Sequence, residues 1–246
     1  MSFFETSPGS CLHVAEEWRD VIAWRTLDDA LNDPAVKVWR DVTERTNGVL
    51  ETPRGRVYVK RIRAGSGESA EDEVNGLRLL AEVGIPVPEL VAWGSEPPVV
   101  PGVAEQSVVA VADLAGYTPA DQRPIDEVLA PAAALAARLH AAGLHHRDLY
   151  LCHVFSDGED FRLIDAARVR RLPRLTRLRW VVKDVAQLVY STPATHRDAM
   201  LKAYAADSTY PLWLLRPLVA RKVAAIARHD AKLKRRQPGR DVTLTR

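Results

Sequence analysis

Alternating apolar and polar positions mark the first half of the chain as strand-rich. Over residues 48–63, "GVLETPRGRVYVKRIR", Val57 and Val59 alternate with Tyr58 and Lys60, and Pro53-Arg54-Gly55 interrupts the run. That combination predicts a β-hairpin. "VKVWRD" (36–41), "VPELVAWG" (87–94) and "SVVAVADL" (107–114) predict further strands, and the region before residue 36 reads as short helices. Between the strands the period becomes helical. A helix is predicted from about Ser69 to Val83, with Ser69 and Asp72 at capping-box spacing and Gly84 as its stop. On that helix Glu73 falls within the apolar arc of Val74, Leu77, Leu80 and Ala81, whereas Glu71 and Glu82 point away.

The pattern changes after a joint placed near residues 112–119. "PIDEVLAPAAALAARLHAAG" (124–143) predicts a helix ending at Gly143, and "VFSDGEDFRLID" (154–165) a hairpin turning at Asp157-Gly158. The remainder reads as mostly helical. The expected architecture is α+β in two lobes. Residues 1–112 hold N-terminal helices, an antiparallel sheet and one Glu-bearing helix, and residues 113–246 form a helical lobe.

Composition narrows the picture only modestly. The 246 residues are 47% hydrophobic and 27% charged, values of an ordinary globular protein. Two cysteines, Cys11 and Cys152, make a disulfide framework unexpected. "MSFFETSPGSCLHV" lacks the basic start and apolar run of a signal peptide, and no stretch reaches about 18 uninterrupted apolar residues. The net charge is +2, but the chain has an acidic segment, "ESAEDE", and basic ones at 168–183 and 228–240. Such a distribution suits a local anionic partner rather than nucleic acid.

The chemistry concentrates in "HHRDLYLCHVF" (145–155). Three histidines, a cysteine and an aspartate suggest a metal cluster, but His145/His146 and Cys152/His153 are adjacent pairs, and no second cysteine lies nearby. Zinc sites are usually spaced otherwise. His146-Arg147-Asp148 instead resembles a protein-kinase catalytic loop, His-Arg-Asp, four intervening residues, then Asn, with His153 in the Asn position. Other candidates follow in kinase order. Lys60 ends a strand, Glu73 on the buried face of its helix needs a cationic partner, and Asp165 closes the strand after the hairpin, where a kinase binds metal. Asp184 shares the apolar face of a helix with Val181, Val185 and Leu188, and is expected to hold the catalytic-loop backbone.

The residues His146, Arg147, Asp148, Cys152, His153, Ile164, Asp165, Arg168, Lys183 and Asp184 resemble the lipopolysaccharide core kinases, the WaaP-type heptose kinases and Kdo kinases. The resemblance runs from about residue 36 to 190. It implies a protein-kinase-like fold and transfer of the ATP γ-phosphate to a sugar hydroxyl, heptose or Kdo, of the lipopolysaccharide inner core. It also implies action on the cytoplasmic side of the inner membrane. On this reading Asp148 is the catalytic base, and Lys60, Glu73, His153 and Asp165 serve ATP. Asp165 and His153 are the candidates for Mg²⁺, and His146, Arg147 and Asp184 build the loop.

Only eighteen residues separate Asp165 from Asp184, and no Ala-Pro-Glu follows, which leaves little room for a peptide-docking segment. That short connection is rich in arginine. Arg168, Arg171 and Arg174 are therefore candidates for an anionic glycolipid acceptor. The basic amphipathic segment "RPLVARKVAAIARHDAKLKRR" (216–236) suits peripheral association with an anionic membrane. No GxGxxG precedes Lys60. A small-molecule or protein Ser/Thr kinase, or a pseudokinase scaffold, stays open at this point.

Overall fold

The computed structural model describes residues 3–5, 12–67, 69–96 and 106–236. The chain forms two compact units. One comprises Met1–Arg78 and Pro88–Ala115, the other Leu79–Val87 and Gly116–Arg246. The last turn of the Glu-bearing helix and the loop after it thus pack with the second unit, and the main division falls at Ala115/Gly116 rather than 112/113.

In the first unit the N-terminal region departs from the helical expectation. It gives strands β1 (Phe3–Glu5) and β2 (Leu12–Ala15) before the short helix α1 (Leu27–Asn32). Leu12, Val14 and Ala15 are buried, so local periodicity yields to the chance to extend an existing sheet edge. Strands β3 (Lys37–Asp41), β4 (Arg45–Thr52) and β5 (Gly55–Ile62) form a meander, followed by helix α2 (Ala70–Glu82) and strands β6 (Leu90–Ser95) and β7 (Ser107–Ala112). Among the described residues seven strands join in the order β1-β2-β6-β7-β5-β4-β3, every pairing antiparallel.

The β4–β5 turn pairs Thr52 with Gly55, and Gly55 adopts φ +119°, a conformation open to glycine. Val57 and Val59 face the core, and Tyr58 faces out, as their alternation predicts. Trp18, Trp24, Val59, Val91 and Val108 help fill that core. Ser69 caps α2: its Oγ accepts from Asp72 N–H at 3.3 Å and pairs with the Asp72 carboxylate at 3.3 Å. Val74, Leu77 and Leu80 are buried with Glu73, but Ala81 is exposed, because the buried arc narrows toward the helix end.

The second unit contains β8 (Thr118–Pro119), helix α3 (Ile125–Ala141), β9 (Leu144–His145), the hairpin β10 (Val154–Ser156) and β11 (Phe161–Leu163), and β12 (Arg170–Arg171). Helices α4 (Arg177–Ser191), α5 (Arg197–Asp207) and α6 (Leu212–Arg236) complete it. The β10–β11 turn is held by the Asp157 carboxylate, which accepts from the N–H groups of Glu159 and Asp160. Gly143, at φ +77°, ends α3 and turns the chain directly into β9. No helix among the described residues is long and apolar enough to cross a membrane.

Candidate active site

In the first unit the sheet and α2 bring Lys60 and Glu73 together. Lys60 Nζ lies 2.6 Å from Glu73 Oε2, and the Glu73 side chain is only 7% exposed. A carboxylate this buried is stable only with a cation beside it, and Lys60 supplies one. The β3–β4 connection, residues 42–44, contains no glycine. Its turn is closed by backbone hydrogen bonds in both directions between Val42 and Arg45, at 3.0 and 3.2 Å.

In the second unit the loop after β9 is held from below by α4. Asp184, fully buried, accepts from His146 N–H at 2.6 Å and from Arg147 N–H at 2.8 Å. Arg147 takes φ +72°, a strained region for a residue with a side chain, and the Asp184 carboxylate grips the two peptide units that lead into that kink. Burial by itself would raise the Asp184 carboxyl. The His140 hydrogen bond and charge and the His146 N–H outweigh it and hold the group below the usual carboxylate range. His146 is buried too, donating from Nε2 to Ile164 O at 3.1 Å, and burial pushes its imidazolium form down in pKa.

Two further α4 side chains continue the grip. Gln187 Oε1 accepts from Leu149 N–H at 3.3 Å, and Ser191 Oγ accepts from Leu151 N–H at 3.0 Å. Asp184, Gln187 and Ser191 recur at i, i+3 and i+7, one face of a helix. Gln187 and Ser191 do not emerge from motif reading. Their signal is a polar stripe on a helix whose other inward positions are apolar.

Asp148 stands at the centre of this loop. Its Oδ1 accepts from Gln187 Nε2 at 3.4 Å, and its Oδ2 lies 2.9 Å from Arg168 Nη1. Arg168, expected to face an acceptor, is thus engaged with Asp148 itself, because the 3₁₀ turn after Asp165 carries it back to the loop. Arg171 pairs with Glu82 at 3.3 Å, and Arg174 is exposed.

Asp165 adopts φ +56° just beyond β11, a left-handed residue that turns its carboxylate out of the strand. His153 donates from Nδ1 to the Asp148 carbonyl at 2.7 Å. Its Nε2 lies 3.8 Å from Asp165 Oδ2. Cys152 is buried and its thiol is pushed up by burial, so it is no thiolate ligand. Among the described residues no three His, Cys, Asp or Glu side chains converge as a metal cage. His145, left without a role by the motif, packs against Trp180 with ring centroids 4.8 Å apart, and burial pushes its pKa down to about 4.

An antiparallel sheet bearing a Lys–Glu pair, together with a helical unit bearing a strained His-Arg-Asp loop clamped by a buried aspartate, defines a protein-kinase-like phosphotransferase. Solved structures agree on the fold. A "WaaP in complex with acyl carrier protein" matches at 24% identity and TM-score 0.63, covering 90% of this chain and 98% of that one. An aminoglycoside-3'-phosphotransferase of type VIII matches at 20% identity and TM-score 0.56, covering 79% of this chain and 98% of that one. The aminoglycoside phosphotransferase APH(3'')-Id from Streptomyces rimosus matches at 17% and 0.53, covering 78% and 96%. No curated protein matches the chain in sequence. Residues 58–204, more than half of the chain, match the Lipopolysaccharide kinase (Kdo/WaaP) family, and the chain belongs to that family. It is an ATP-using kinase of the lipopolysaccharide core sugars.

Proposed function

We propose that Asp148 is the base of this kinase, accepting the proton of an acceptor sugar hydroxyl as its oxygen attacks the γ-phosphorus of ATP and ADP departs. The observation that carries this reading is the double support of the Asp148 carboxylate by Gln187 and Arg168, on a loop whose backbone α4 fixes. A carboxylate accepts through about four lone pairs, so these two contacts leave room for the incoming hydroxyl. General-base assistance contributes roughly 10²–10⁴-fold in rate.

Lys60, held by Glu73, neutralises the ATP phosphates. Asp165 would hold Mg²⁺. That ion takes one or two protein carboxylates and completes its shell with phosphate oxygens and water. His153 Nε2 is the second group turned toward that position, although magnesium favours oxygen. Bound there, the ion supplies charge neutralisation on the transferring phosphoryl group. Arg171 and Arg174 face the anionic acceptor, a heptose or Kdo of the inner core, and Arg168 serves Asp148.

A radiolabelled-ATP transfer assay against lipopolysaccharide core acceptors, free sugars and a generic protein tests this. Asp148→Ala and Asp165→Ala should each abolish transfer to the core acceptor while circular dichroism stays native. Near-normal turnover in both would sink the assignment.

A further inference from the structure

Beside Arg147, a groove of about 620 Å³ is lined by α4 and α6. Arg147, Arg179 and Lys183 line it from the loop and α4, and Arg221 and Lys222 from α6. No acidic side chain lines it, and none of the five makes an ion pair with a carboxylate among the described residues. Like charges gathered this way repel one another, and that cost is relieved when an anion enters.

The aromatic floor reinforces the charge. Arg147 and Arg179 place their guanidinium carbons 5.0 and 5.6 Å from the Trp180 ring, and Lys183 Nζ lies 5.8 Å from it. Arg147 Nε is buried with no hydrogen-bond partner, a donor left over for a ligand.

Apolar groups share the same groove. Leu178 and Leu218 stand among the cations. On α6, Leu218, Arg221, Lys222 and Ala225 recur at i, i+3, i+4 and i+7, so one helical face serves the groove. Leu175, three residues before Leu178 and outside the groove lining, is 100% exposed.

We propose that this groove seats the phosphate headgroup of an anionic lipid at a bilayer surface. The phosphate sits among the five cations, and the lipid stem lies against Leu178, Leu218 and Trp180. Cations alone would suit any polyanion. Leu178 and Leu218 beside them favour a ligand with an apolar continuation, and Arg suits phosphate by its forked donors. The groove shares Arg147 with the catalytic loop, but the cations tested lie on α6, so binding is read without ATP and its failure leaves the kinase reading untouched.

The test is sedimentation of the full chain with phosphatidylcholine vesicles and with vesicles containing phosphatidylglycerol. Binding should require the anionic lipid. Arg221→Glu/Lys222→Glu should lower partition by roughly 30-fold or more, from about fivefold per basic residue near an anionic surface. Lys232→Glu/Lys234→Glu carries the same charge change on exposed α6 positions outside the groove and should lower it far less. Melting curves of both variants confirm folding. Equal losses in the two variants, or equal binding to both vesicle types, would overturn the groove as the seat. Competition by soluble glycerol phosphate as effective as that by vesicles would overturn the bilayer as the source.

Discussion

Asp184 shows how much a single buried side chain carries. It satisfies two backbone N–H groups and holds Arg147 in a conformation that costs of order 1–3 kcal/mol. Asp184→Ala should therefore destabilise the protein by about 3–5 kcal/mol in denaturant titration. Its carboxyl is held below the unfolded value near 3.9, so its contribution is complete above that pH and is lost as pH falls through the lower folded value. His145 acts in a higher window. Its folded pKa of about 4 lies below the ordinary 6.5, so between those values the unfolded state binds more protons, and stability falls as pH falls. His145→Phe should remove up to about 3 kcal/mol of acid sensitivity between pH 6.5 and 4, read as a flatter plot of unfolding free energy against pH. Both roles depend on burial. Motif reading reached Asp184 because the family resemblance and the apolar face agreed on it, and left His145 unassigned because burial has no local signature.

Among the elements, α4 is the organiser. Asp184, Gln187 and Ser191 turn one of its faces into a row of acceptors for the backbone of residues 146–151. Gln187→Leu keeps the helix and most of the volume but removes the contacts to Leu149 N–H and Asp148. It should lower kcat by about 10–100-fold with a smaller effect on KM for ATP, measured by steady-state transfer, since misplacement of order 1 Å costs about that much. Where the sequence carried a local cause, its elements formed as expected: the Pro53–Gly55 turn, the Ser69 cap and the Gly143 stop each appear. Gly143→Ala should cost about 1 kcal/mol for that reason, visible as a lowered melting temperature. The N-terminal strands were not legible, because β1 pairs only with β2, and β2 is anchored on β6, about 80 residues further along the chain.

For the whole molecule, ligand linkage offers the broadest check. Magnesium and ATP together, at about 100 times the dissociation constant, should stabilise the protein by roughly 2.7 kcal/mol, or about 5–10 °C for a chain of this size. Asp165→Asn should abolish the magnesium-dependent part of that shift in a thermal melt. The sequence by itself determined the class of fold, the family and most candidate residues, since turn chemistry, helical period and the order Lys60, Glu73, Asp148, Asp165, Asp184 are written locally along the chain. Tertiary structure decided what those residues touch. It gave Arg168 to Asp148, aimed His153 Nε2 at Asp165, recruited Gln187 and Ser191, and gathered five cations around Trp180. Each of these joins side chains from separate elements. Such contacts follow from packing, whose free energy belongs to no single stretch of chain.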